Sequence, residues 1–335
     1  MIQNLLPDRM IVAKVGLVHD GSFGNACALV DAAVVAGATA VKFQTHIASA
    51  ETTLCSHQGQ AFNGEAQYRL FERTAFTDSQ WRHLKERCEG QGAVFMSSSF
   101  SEAAVNQLER IDVRVHSVPS SELTNLFLLE KLAAIGKPIV LSSGMSNWAE
   151  IDRAVEILRS SPRLILLQSS SVFPCPDEKV GLNVITNMQR KYDCEVGLSD
   201  KTLGLSAGIA AAALGATVIQ KSVTFSKVMF GVESQNSMEL TEFSLYCREL
   251  KSVWNMLDNP VDKDDLAPYL AAKLEFEKSL VSAHDLYRGL QLKREHVVAK
   301  RPGSGISTSE LDEIVGKRLR FDILPDALIA REMLE

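Results

Sequence analysis

Lysines, serines and a few histidines recur at corresponding places along this chain, each time just after a short β-rich run. Lys14, His19 and Asp20 close the first run, Lys42, Gln44 and His46 the second, and Ser97, Ser98 and Ser99 the third. His116, Ser117, Ser120, Ser121 and Glu122 belong to the fourth, Ser142 and Ser143 to the fifth, and Gln168 with Ser169, Ser170 and Ser171 to the sixth. Ser199, Asp200 and Lys201 end the seventh; Lys221 and Ser222 end the eighth. Ammonium groups neutralise a phosphoryl dianion and hydroxyls donate to its oxygens, so a ring of such groups suits a phosphorylated anion. A single serine in a loop is ordinarily a turn former; the coincidence at seven of eight run ends carries the reading. His19 and His46 are candidate general bases or metal ligands, although a lone histidine is more often structural. A catalytic metal usually takes three ligands from His, Asp, Glu or Cys. The seventh and eighth run ends offer only Asp200, beside Lys201 and Lys221, whose cations oppose a metal. Composition therefore argues against one bound there.

The elements that must position these groups alternate regularly. Eight candidate strands span 11–18, 40–44, 94–97, 113–118, 139–142, 164–168, 195–198 and 218–222. Each is followed by a helical segment of 3.6 period: 25–36, 78–88, 102–108, 128–134, 148–158, 184–190, 205–214 and 240–256, with Thr77 a natural N-cap for the second. Gly37 and Gly215 fall where a positive φ closes a helix. Strands alternating with helices imply a parallel sheet, and eight such units imply a closed (β/α)8 TIM barrel, whose active sites lie at the C-terminal ends of the strands. The alternative, an open doubly wound sheet, lacks a G-x-G-x-x-G after its first strand. The expected barrel covers 1–258, and 259–277 form a linker, acidic at Asp262, Asp264 and Asp265 and then helical through Glu277. A small β-rich module, 278–335, follows with strands near 279–283, 297–299 and 319–321; at that size it needs a barrel to pack on.

Composition excludes several classes. The 335 residues are 46% hydrophobic and 23% charged with a net charge of −6, the balance of a folded protein and not of a disordered one. No basic excess points to nucleic acid or an anionic membrane. The longest apolar stretch, around 207–214, is too short to span a bilayer. Six cysteines (Cys27, Cys55, Cys88, Cys175, Cys194, Cys247) are scattered without a C-x-x-C pair and read as reduced thiols of a cytoplasmic protein.

Several phrases resemble the bacterial sialic acid synthase family, which includes the legionaminic and pseudaminic acid synthases. Residues 15–22 (VGLVHDGS) resemble its I-G-x-N-H-x-G-x start, and 31–45 (DAAVVAGATAVKFQT) its D-A-A-x-x-A-G-A-x-x-V-K-F-Q-T phrase. Residues 136–145 (GKPIVLSSGM) and 197–200 (GLSD) match two further blocks; 300–306 (KRPGSGI) and 314–319 (IVGKRL) resemble its antifreeze-like (SAF) cap. The resemblance implies a barrel synthase that condenses phosphoenolpyruvate with an N-acetylated amino-sugar aldehyde, giving phosphate and a 2-keto-3-deoxy nonulosonic acid. It further implies a homodimer with swapped caps and a manganese or magnesium ion. Position by position, Lys42, Gln44, Ser98, Ser120, Ser142 and Ser199 fall where the family holds phosphoenolpyruvate. Glu122 falls on an active-site carboxylate, and Arg301 on the cap arginine that reaches the N-acyl group.

The departures cluster. The family's strand-one Glu is Lys14 and its N-H pair is Val18-His19. The strand-four Lys is Ser117, followed by Val118-Pro119, and its Asn and Tyr after strand six are Ser171 and Phe173. Its two metal histidines are replaced by Lys201 and Ser222. Three readings follow. In the first, the chain is such a synthase with altered or absent metal use, Lys201 or Lys221 standing for the metal's charge beside the carbonyl, with Glu122, His19 and Asp200 as further candidate catalytic groups. In the second, Lys14, Lys201 or Lys221 forms a Schiff base with a keto acid. In the third, the protein is a non-catalytic paralogue that binds a sugar acid or an active synthase. Phe173 and Ser171 point to a sugar other than N-acetylmannosamine.

Overall fold

The computed structural model describes residues 6–53, 65–170 and 172–335; Cys55 and Ser171 lie outside them. Two compact units divide the chain, residues 1–259 and 260–335. In the first, eight strands pair in parallel and in chain order: β1 (Met10–Gly16), β2 (Ala40–Thr45), β3 (Val94–Ser99), β4 (His116–Val118), β5 (Ile139–Ser142), β6 (Leu164–Ser169), β7 (Glu195–Asp200) and β8 (Val218–Thr224). β1 also pairs with β8, which closes the barrel. A two-residue β9 (Met238–Glu239) adds to the end of β8.

The surrounding helices are α1 (Phe23–Val35), the short α2 (Ala48–Glu51) and α3 (Gln67–Thr74), α4 (Asp78–Gly90), α5 (Glu102–Arg110), α6 (Leu126–Ile135), α7 (Trp148–Leu158), α8 (Leu182–Lys191), α9 (Ser206–Ala213) and α10 (Leu240–Asp258). Local chemistry fixes their starts. Thr77 and Gln80 form a capping box on α4 and Asn147 and Glu150 another on α7, each satisfying two otherwise orphaned N–H groups.

Successive residues of a strand face opposite sides, and here that alternation separates two cores. Met10, Val12, Ala40, Val94, Met96, Val140, Ile165, Leu167 and Val218 fill the lumen. Ile11, Ala13, Val41, Phe43, Phe95, Leu141, Leu166, Val196, Leu198 and Ile219 meet the helices. Continuing the lumen parity toward the C-terminal ends brings Lys14, Lys42, Gln44, Ser98, Ser142, Ser199, Gln220 and Ser222 to the mouth. The opposite parity sends Asp200 and Lys221 into the helix layer.

In the second unit, residues 260–277 include a helix, α11 (Leu270–Phe276), where the sequence leads one to expect a helical stretch ending at Glu277. Strands β10 (Ser279–Ser282) and β11 (Val297–Lys300) form an antiparallel pair over a core that includes Leu280, Leu292, Ile314, Ile323 and Ile329. The strand expected at 319–321 is reduced to a single bridge, Leu319 to Leu334. No helix among the described residues is long and apolar enough to cross a membrane.

Candidate active site

A cavity of about 290 Å³ opens at the C-terminal end of the barrel, lined by Lys14, Lys42 and Lys201 together with Gln44, Ser98, Ser120, Ser142, Ser169, Ser199, Gln220 and Ser222. Phe173 and Phe100 supply apolar walls. The Lys42 ammonium donates to Gln220 Oε1 at 2.8 Å, and Gln220 Nε2 donates to Ser199 Oγ at 3.0 Å, so a polar chain crosses the floor. Ser120 Oγ accepts from the Gly144 amide at 3.1 Å. Burial, reinforced by the cations of Lys14 and Lys201, lowers the Lys42 pKa from 10.5 to about 7. Burial and Lys14 lower Lys201 to about 8. Three amines drawn into one small cavity hold one another's pKa values down, and an anion placed among them would favour their charged forms.

Glu233 compensates part of this charge. It comes from the loop after β8, and Lys14 Nζ donates to its Oε1 at 2.7 Å. Burial opposes its ionisation, yet Lys14 and the Leu17 amide keep its carboxyl below the usual range. Room for it is made at Gly16, where β1 bulges. A Cβ there would lie 2.0 Å from Glu233 Oε2, and φ is +55°.

Asp200 and Lys221, nominated as catalytic groups, form a buried structural pair instead. Lys221 Nζ donates to Asp200 Oδ2 at 2.9 Å and to the Thr202 and Gly204 carbonyls at 2.7 and 2.8 Å. Asp200 Oδ1 accepts from the Thr202 amide and hydroxyl, and Oδ2 also accepts from the Tyr246 hydroxyl at 2.8 Å. Tyr246 reaches it only because position 208 is glycine: a Cβ there would lie 1.6 Å from the phenol oxygen. Asp200 borders the cavity, but its carboxylate is fully engaged behind the wall. Lys221 does not reach the cavity, which removes it as a Schiff-base or alkoxide-stabilising candidate.

His19 is also displaced from the cavity. It is fully buried, its Nδ1 accepts from the Gly21 amide at 3.1 Å, and its ring packs against Phe43 and Phe76. Burial pulls its pKa to about 4, so it is a neutral packing group. Glu122 lines an adjoining cavity of about 370 Å³, where Oε2 accepts from Asn125 Nδ2 at 2.7 Å. That second cavity shares Gln44, Phe100, Ser121 and Glu233 with the first. Arg301 belongs to the second unit, exposed, with its guanidinium over the Phe276 ring and Nε donating to the Phe276 carbonyl.

The residues present do not suit a divalent metal. Ser222 and Lys201 occupy the positions where the resemblance puts histidines, and Lys201 is a cation at its lumen end. No group of three His, Cys, Asp or Glu suitable for an ion occurs among the described residues. The sequence reading missed Glu233, Tyr246 and Glu51, none of which ends a strand.

The chain is thus a closed (β/α)8 barrel with a lysine- and hydroxyl-lined cavity at the C-terminal ends of its strands. The NeuB family model matches residues 29–262 and the SAF domain model residues 277–335. The chain belongs to the NeuB family. N,N'-diacetyllegionaminic acid synthase of Campylobacter jejuni is 29% identical over 96% of this chain and 98% of that one. N-acetylneuraminate-9-phosphate synthase of Homo sapiens is 28% identical over 97% and 92%. A protein of Methanocaldococcus jannaschii is 32% identical over 95% and 92%. Among solved structures, the N-acetylneuraminic acid (sialic acid) synthetase of Leptospira borgpetersenii, a complex with citrate, superposes with a TM-score of 0.71 at 27% identity, covering 81% of this chain and 94% of that one.

Proposed function

We propose that this protein condenses phosphoenolpyruvate with an amino-sugar aldehyde to a 2-keto-3-deoxy acid, without a divalent metal. The observation that carries this reading is the lumen charge: Lys14, Lys42 and Lys201 face one cavity, and Glu233, beside Lys14, is its one carboxylate not engaged behind the wall. Lys42, Ser98, Ser120, Ser142 and Ser199 hold the carboxylate and phosphate of phosphoenolpyruvate. Lys201 faces the aldehyde oxygen and stabilises the negative charge that develops there as the enol carbon attacks. Gln44 and Phe173 shape the boundary between the two substrates. Arg301, in a swapped homodimer, recognises the N-acyl group of the sugar in the partner's barrel.

Calorimetric titration of phosphoenolpyruvate into the 335-residue chain, with EDTA or with manganese, tests the anion half. Micromolar binding indifferent to the metal is the expected result. No binding in either condition removes the synthase reading and leaves a non-catalytic paralogue. The lowered Lys201 pKa favours one second reading, a Schiff base with a keto acid; borohydride in the presence of pyruvate would then add a stable adduct mass to Lys201.

A further inference from the structure

Beside the lysine cavity lies a second constellation that the anion half does not use. His46 follows β2 and Glu51 ends the single turn of α2, and His46 Nδ1 is 2.7 Å from Glu51 Oε1. The imidazole is clamped between Phe71, at 3.8 Å and 7° between planes, and Phe100, at 4.1 Å and 25°. Both members of the pair are about nine-tenths buried or more. His46 Nε2 and Glu51 Oε2 are buried without hydrogen-bond partners among the described residues. A buried polar atom left unpaired is costly, and here two of them sit in one hydrogen-bonded pair beside a cavity. Both residues line the second cavity, which meets the lysine cavity at Gln44, Phe100, Ser121 and Glu233.

Resting on the function proposed above, we infer that the second cavity holds the hydroxyl-bearing aldehyde with its carbonyl at the junction with the lysine cavity, so that Lys201 meets the oxygen from one side and His46, the proton-transfer group, from the other, with Glu51 the positioning residue. The aromatic clamp fixes the ring plane, and the Glu51 carboxylate fixes the Nδ1 proton, which leaves Nε2 to exchange protons with the substrate. The step balances as follows. The C3 carbon of phosphoenolpyruvate bonds to the aldehyde carbon, the carbonyl π pair moves to oxygen, and Nε2–H of the imidazolium protonates that oxygen. Water adds to C2 of the resulting cation and returns a proton to Nε2. The tetrahedral carbon then expels phosphate, which takes the hydroxyl proton as the keto group forms. Among the described residues, the titratable groups around the imidazole are Glu51, Glu233 and His19, and Glu122 lines the same cavity.

The test uses phosphate release from phosphoenolpyruvate in EDTA with a panel of 2-acetamido aldoses that includes N-acetylmannosamine, alongside calorimetry of phosphoenolpyruvate alone. His46→Gln should lower kcat about a hundredfold or more and remove one limb of its pH profile, with phosphoenolpyruvate affinity within about twofold of the parent. Glu51→Gln should lower kcat about tenfold and shift the same limb, because the ring stays clamped but loses its anion. Thermal melting reports whether each variant is folded; if His46→Gln is not, the pH limb in Glu51→Gln decides alone. Parent turnover together with an unshifted profile in the folded variants overturns the role of His46 while leaving the proposed function standing. A parent that releases no phosphate with any aldose of the panel overturns both.

Discussion

The two faces of β7 and β8 make an instructive contrast. On the lumen side, Ser199, Gln220 and Ser222 meet Lys42 and Lys201 around an open cavity, where cations lack enough anions. One residue along, on the helix side, Asp200 and Lys221 face each other in register, 0% and 2% exposed at their side chains, and every oxygen and proton has a partner. The same two strands thus carry an unsatisfied charge set and a satisfied one, separated by a single step in parity. The lumen lysines face the cavity that the proposed function gives to the anion; Lys221 holds the wall.

That contrast can be broken most severely at Lys221. Lys221→Met strands the Asp200 carboxylate in the helix layer, and a broken buried pair of this kind costs about 3–5 kcal/mol. Urea denaturation should register most of that loss; a change below about 1 kcal/mol would show that the outer pair is not what holds β7 against β8.

Lys42→Met should do the reverse. Phosphoenolpyruvate affinity should fall roughly tenfold to hundredfold, since a hydrogen bond to a charged group contributes about 1.5–3 kcal/mol, while the melting temperature stays level or rises. A lower melting temperature with unchanged affinity would exchange the roles assigned to the two faces.

The lumen face should also be sensitive to pH. Burial and its cationic neighbours lower the Lys42 pKa from 10.5 to about 7 in the folded protein, so the unfolded chain holds more protons between those values. Its contribution to stability therefore rises with pH from about 7 to 10.5. Anion affinity moves the opposite way, because a dianion needs the ammonium form. Calorimetry in buffers of different ionisation enthalpy should show proton uptake on binding at pH 8 and weaker binding there than at pH 6.5. Zero proton uptake would remove Lys42 from the anion's contacts. The smallest expected effect is that of EDTA or manganese on this binding, which should be nil within error; a metal-dependent affinity would contradict the fit of the site.

Much of this was legible beforehand because β-rich runs and helix caps are local signals. All eight barrel strands lie where the alternation of elements predicts them, β5 to the residue. Parity was harder to read. On β8 every residue from Val218 to Thr224 is buried, so no polar–apolar alternation marks which side Lys221 takes. Sheet pairing with β7 decides it. Along β1 and β2 the parity was available, since Lys14 and Lys42 share their side with Met10, Val12 and Ala40. Glu233 was beyond reach because its partner Lys14 is 219 residues away and the loop that brings it back has no repeating pattern. Glu51 sits on a single helical turn, too short for any periodicity to announce.

The crowding of Lys14, Lys42 and Lys201 has a consequence outside catalysis. Amines drawn together at one mouth favour an anion there, and any anion that binds only the folded state adds stability by mass action, about 2.7 kcal/mol at a hundredfold excess over Kd. If phosphoenolpyruvate is that anion, the protein's lifetime in a cell follows supply: a chain short of the metabolite unfolds and is degraded sooner than one that is saturated. Limited proteolysis with and without phosphoenolpyruvate should lengthen the half-life in the parent and not in Lys42→Met, and equal half-lives in the parent would sever abundance from supply.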